Sequence, residues 1–112
     1  MTDYGQIDEL KKLCPEVHYA EEGGHHYYLI SNLQLPDGCT PQLINVLLCP
    51  DNREGYHSRL FFESRVESGK QMNWNSDTFR ILERSWHVFS WQLPEGLRLA
   101  QMLTSHLRGL TC

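Results

Sequence analysis

The stretch Gln42-Leu43-Ile44-Asn45-Val46-Leu47-Leu48-Cys49, closed by Pro50, decides the fold. Its aliphatic residues run almost unbroken, with Asn45 the one polar residue among them, which is the pattern of a short central strand covered on both faces. A strand of that kind needs neighbours, and the flanking sequence supplies them. Upstream, His25-His26-Tyr27-Tyr28-Leu29-Ile30-Ser31-Asn32-Leu33 is rich in aromatic and branched residues and ends in the turn Pro36-Asp37-Gly38. Downstream, the polar loop Asp51-Asn52-Arg53-Glu54-Gly55 precedes Ser58 to Val66. There Leu60, Phe62 and Val66 alternate with Arg59, Phe61, Glu63 and Arg65, which predicts a half-buried strand. Glu67-Ser68-Gly69-Lys70 turns the chain again, and Gln71-Met72-Asn73-Trp74 reads as a short return strand. Connections this short force antiparallel pairing, because parallel neighbours need crossovers of a dozen or more residues.

Helices flank the meander. Asp3-x-x-Gln6 has the form of a capping box, with Ile7, Leu10 and Cys14 at helical spacing behind it and Pro15 as a stop, so a first helix over 3–13 is predicted. Glu21-Glu22-Gly23-Gly24 then signals a turn. At the other end, Arg98, Gln101, Ser105 and Arg108 form a polar stripe. Leu97, Leu99, Ala100, Met102, Leu103, Leu107 and Leu110 form a broad apolar face, predicting a helix over 95–109 with Gly109 near its C-cap. Residues 75–93 admit two readings: a helix capped by Asp77, or a strand in which Phe79 and Ile81 alternate. The expected architecture is a single α+β domain over 1–112. It has an N-terminal helix, an antiparallel meander of about four strands, an irregular aromatic-rich flap and a C-terminal helix packed on the sheet.

Ten Lys and Arg against fourteen Asp and Glu give a formal charge of −4. That balance argues against a dedicated nucleic-acid binder, which needs a basic face to displace counterions. No apolar run approaches the ~20 residues needed to span a bilayer. The opening Met1-Thr2-Asp3-Tyr4-Gly5-Gln6 lacks the basic and apolar regions of a signal peptide, so a cytoplasmic location is expected. Cys14, Cys39, Cys49 and Cys112 show no C-x-x-C spacing, and three buried or half-buried reduced thiols with a frayed C-terminal one are expected rather than disulfides or zinc ligands.

The six histidines do not suggest a metal site. His25 and His26 are adjacent on a strand and point to opposite faces, while His18, His57, His87 and His106 fall in separate elements. Neither a phosphate-cradling glycine loop nor G-x-S-x-G is present, and no cofactor is implied. The block Trp86-His87-Val88-Phe89-Ser90-Trp91 is mostly packing by composition. Its functional reading makes Trp86, Trp91 and the neighbouring Arg84 a binding surface, with His87 as the ionisable group seated among the aromatics.

The order of elements, with Leu35-Pro36-Asp37-Gly38, Leu47-Leu48-Cys49-Pro50, Ser85-Trp86-His87 to Trp91 and Pro94-Glu95-Gly96, resembles the ubiquitin-conjugating enzyme (UBC) superfamily over residues 26–110. The likeness is closest to small bacterial members tied to ubiquitin-like modification. Catalytic members hold a cysteine in the flap that receives the ubiquitin-like protein as a thioester, a role that needs an exposed thiolate. Between Val66 and Thr111 this chain has no cysteine, and the His-Pro-Asn tripeptide is missing. Cys49 falls too early in the fold and Cys112 beyond the last helix. The resemblance therefore implies a non-catalytic or non-canonical variant that docks a ubiquitin-like protein or its activating enzyme, with His87 the one candidate for a catalytic group in the flap. The alternative is an α+β interaction or chaperone-type module outside such pathways.

Overall fold

The computed structural model describes residues 4–14, 16–52, 55–75 and 78–110. Helix α1 (Tyr4–Leu13) leads into strands β1 (Glu16–Glu22), β2 (His25–Gln34), β3 (Leu43–Cys49) and β4 (Arg59–Phe62). The strands form an antiparallel sheet in the order β1-β2-β3-β4. The meander of four strands is thus as expected, but its membership differs. β1 carries no apolar period, because it is an edge strand with Glu16, His18, Tyr19, Glu21 and Glu22 exposed. It is joined to β2 by Gly23-Gly24, both at positive φ (59° and 82°), as a two-residue hairpin that keeps the strand twist requires.

The pleat of β2 and β3 sorts their side chains. Tyr28 and Ile30 on β2 and Ile44, Val46 and Leu48 on β3 join one buried cluster. Tyr27, Leu47 and Cys49 join a second. The register of β2 against β3 shifts between Ile30 and Leu33, so Leu33 returns to the first face with Ile30. Asn32 absorbs the bulge at φ 53°, and its N–H donates to Asn45 Oδ1 at 2.9 Å. Asn45, the polar residue in the apolar run, is what pins this irregularity.

Two expectations need correction, and one open alternative is resolved. The strand predicted over 58–66 is only Arg59–Phe62, and all four of its residues are buried, so it is covered on both faces rather than half-buried. Residues 71–74 form no return strand; Trp74 makes only an isolated bridge with Phe89. Of the two readings of 75–93, the strand is right: β5 (Phe79–Ile81) and β6 (Arg84–Trp86) make a small hairpin. Its turn residues Leu82 and Glu83 both lie at positive φ (53° and 64°), and the Leu82 N–H donates to Glu22 Oε2 at 3.0 Å. Asp77, like Asp3, Pro15 and Cys112, lies outside the described residues. After the hairpin the chain continues beside β4, where His87 and Phe62 exchange two backbone hydrogen bonds of 2.7 Å.

Helix α2 (Leu99–Arg108) begins later than predicted, because Gly96 lies at φ 81° and Arg98 is extended at ψ 161°, and α1 meets its first turn. The Leu99 N–H donates to Gln6 Oε1 at 2.9 Å and Arg98 Nε lies 2.8 Å from Glu9 Oε1. Gln6 therefore satisfies an orphan donor of the other helix. Leu10 of α1 and Leu99 and Leu103 of α2 enter the first cluster, while Ile81, Trp86 and Val88 cover the opposite face with Phe61. No helix among the described residues is long and apolar enough to cross a membrane.

Gly109 follows α2 with ordinary helical φ of −62°, so its backbone needs no glycine. Space does: a Cβ there would meet Trp91 Cδ2 at 2.8 Å and Phe89 Cε2 at 3.0 Å. Gly109→Ala is expected to destabilise the fold by about 1–3 kcal/mol, the usual cost of overpacking, despite alanine's better helix propensity. A lower urea midpoint at unchanged slope would be the signature.

Candidate functional site

The aromatic block does not act as one surface. From Trp86 onward the chain runs extended, and alternate residues enter opposite clusters. Trp86 and Val88 lie with the hairpin, whereas Phe89 and Trp91 lie with the helices. Trp86 is fully buried, and its Nε1 donates to the Ile81 carbonyl at 3.0 Å. Its ring is a core element with no face for a partner. Arg84 is exposed; it pairs with Glu63 Oε2 at 3.2 Å while its guanidinium sits 4.9 Å from the Trp86 ring centroid. His87 is half-buried, with Nδ1 enclosed and lacking a hydrogen-bond partner.

Trp91 is the aromatic that reaches the surface. It is half-buried and held from three sides. Nε1 donates to the Ser105 carbonyl at 2.9 Å, the ring lies against Gly109, and Lys70 Nζ is 5.3 Å from its centroid. Two depressions open beside it. One, of about 490 Å³, is lined by Gly55, Tyr56, Ser90, Trp91 and Gln92. The other, of about 250 Å³, is lined by Trp91, Gln92, Leu93, Pro94, Ser105 and Arg108. The structure thus separates the predicted pair Trp86 and Trp91 and adds Tyr56, Gln92 and Arg108 to the latter. Arg108 stood in the polar stripe of the C-terminal helix; only the third dimension sets it beside Trp91.

The three described thiols are enclosed by the fold. Cys14, Cys39 and Cys49 are all buried, and burial raises the Cys14 and Cys39 thiols above their ordinary pKa. Cys49 is 0% exposed, with Sγ 4.0 Å from the Asp51 carbonyl. Among the described residues no group of three or more His, Cys, Asp or Glu is placed to hold a metal ion. His26 instead bridges β1 to the loop after β3, with Nδ1 2.9 Å from Asp51 and Nε2 3.3 Å from Glu21. Comparison with protein-family models, curated proteins and solved structures finds no match.

One polar cluster was not legible in the sequence. Ser58, Arg59 and His106 are buried together beneath α2. Ser58 Oγ donates to the Cys49 carbonyl at 3.0 Å and lies 3.0 Å from His106 Nε2. A hydroxyl has one proton, and with the Cys49 carbonyl taking it the imidazole Nε2–H is the donor here. That direction is opposite to what an activated serine needs, since a general base must accept the hydroxyl proton. The cluster is structural. Burial, reinforced by the Arg59 charge, pushes the His106 pKa from 6.5 down to about 3. The unfolded chain therefore gains a proton near pH 6.5 that the folded chain refuses until about pH 3. Stability is expected to fall as pH drops through that window, by up to ~1.4 kcal/mol per unit from this group. Urea midpoints measured across the window should show the slope in the parent and a flatter profile in His106→Gln.

Proposed function

We propose that the chain is a non-catalytic UBC-like component of a bacterial ubiquitin-like modification system, docking a ubiquitin-like protein or its activating enzyme through the surface around Trp91. One observation carries the reading. An antiparallel meander is followed by a cysteine-free, aromatic-rich segment that pairs with β4 through Phe62 and His87, and both helices pack on the opposite side from the small hairpin. Burial of the three described thiols, Cys14, Cys39 and Cys49, supports the non-catalytic part, because a thioester acceptor must be reachable as a thiolate. His87 is a poor substitute nucleophile, as its Nδ1 is enclosed. Its half-buried ring is better placed to shape the docking surface than to carry a transferred group.

The test incubates the chain with the activating enzyme and ubiquitin-like protein encoded beside it, and ATP. The expected result is retention of one of these proteins by the immobilised chain, without any adduct that reducing agent removes. An adduct abolished by Cys49→Ala would overturn the non-catalytic reading. Absence of retention would favour an interaction module outside such pathways.

A further inference from the structure

We propose that the hairpin β5–β6 is a strained lid that swings off the sheet as a unit, uncovering the face built from Tyr27, Leu47 and Phe61 while the rest of the fold stays intact. Its place in the fold sets it apart. The hairpin is a two-stranded sheet of its own beside the four-stranded one, and each of its strands has three residues. A pair of strands that short is marginal in water without a surface to pack on. The chain is clamped just outside it. The Asn75 N–H donates to the Val88 carbonyl at 2.9 Å, and His87 and Phe62 exchange their two bonds next to that point. The hairpin is thus the tip of a loop closed at its base, and the clamp is the axis about which it turns.

The tip is built under strain. A two-residue turn that keeps the strand twist needs positive φ at both positions, which Asn, Asp and Gly supply. Leu82 and Glu83 occupy them here, at 53° and 64°. The left-handed region is costly for such side chains, and residues held there persist only where the surroundings fix them. Two carboxylates supply part of that hold. Glu22 Oε2 on β1 accepts the Leu82 N–H at 3.0 Å, and Glu63, just past β4, pairs with Arg84 at 3.2 Å. Both glutamates are exposed, where anchors of this kind are individually weak. Burial of Ile81 and Trp86, 1% and 0% exposed, opposes opening and makes the open lid a minor state. The two side chains leave together, because Trp86 Nε1 is bonded to the Ile81 carbonyl within the hairpin. Cooperative units that open below the global transition often coincide with supersecondary motifs of this size.

The thiols report on the lid. Cys49 belongs to the cluster that the hairpin covers, whereas Cys14 and Cys39 belong to the cluster under the helices. The intact protein is treated with iodoacetamide at a series of low urea concentrations. Each thiol's alkylation rate is read by peptide mass spectrometry against its rate in the unfolded chain. Cys49 is expected to react faster than Cys14 and Cys39 and with a shallower dependence on urea, since opening a lid exposes less surface than unfolding. Glu22→Ala removes the acceptor for Leu82 and is expected to speed Cys49 by about three- to tenfold. Glu83→Gly relieves the turn and is expected to slow it by about three- to fivefold. Both substituted residues are exposed, and unchanged rates at Cys14 and Cys39 show that the rest of the fold is undisturbed. One shared rate and urea slope for all three thiols would overturn the proposal, as would substitutions that move all three alike. Selective alkylation of Cys49 that does not follow both substitutions would also overturn it, because the reagent would then be entering past Pro50 and not beneath the hairpin.

Discussion

Burial of β3 and β4 on both faces is the constraint from which the rest of the architecture follows. Leu47, Leu48, Leu60, Phe61 and Phe62 are each 1% exposed or less, so the sheet cannot leave either side to water. Burying one such side chain is worth about 1.5–3 kcal/mol, and a domain this small has few layers to spend on it. Two helices close one face. The other is closed by the short hairpin and the extended run after it, whose Ile81, Trp86 and Val88 pack on Tyr27, Leu47 and Phe61. Most of the aromatic-rich segment is thus a lid on the sheet, and only its end at Trp91 emerges.

That arrangement explains what could be read from the sequence. The apolar run 42–49 and the amphipathic 97–110 announce themselves by pattern; the strand forms within a residue of its expected limits, and the helix forms but starts four residues late. β1 could not be seen, because an edge strand buries almost nothing and its sequence records solvent, not a core. The hairpin was ambiguous for another reason. Its turn uses Leu82 and Glu83 at positive φ instead of the Asn-Gly or Asp-Gly pairs that mark such turns, and Glu22 from a distant strand helps to hold it. Local chemistry does not encode an anchor supplied from elsewhere.

The candidate site was half legible for the same reason. Tryptophan density pointed to the segment, but alternation along an extended chain sends Trp86 inward and leaves Trp91 near the surface, a phase that density alone does not reveal. Arg108 and Tyr56 come from different elements and meet Trp91 only through packing. His106 was hidden within an amphipathic helix, where nothing distinguishes a buried imidazole from an exposed one until Ser58 is found beside it.

The contact between the two helices also constrains how the molecule is assembled. Gln6 and Leu99 are 93 positions apart, and Glu9 and Arg98 are 89. Closing a loop of that length directly is entropically expensive, although the cost rises only slowly with length. Once the meander has formed, its strands already bring the distant segments near one another, and the remaining search is short. The sheet thus lowers the entropic cost of bringing the two helices together. The start of α2 is then under remote control: loosening α1 removes the acceptor for Leu99 and the carboxylate for Arg98, and the strain is felt first where the second helix begins.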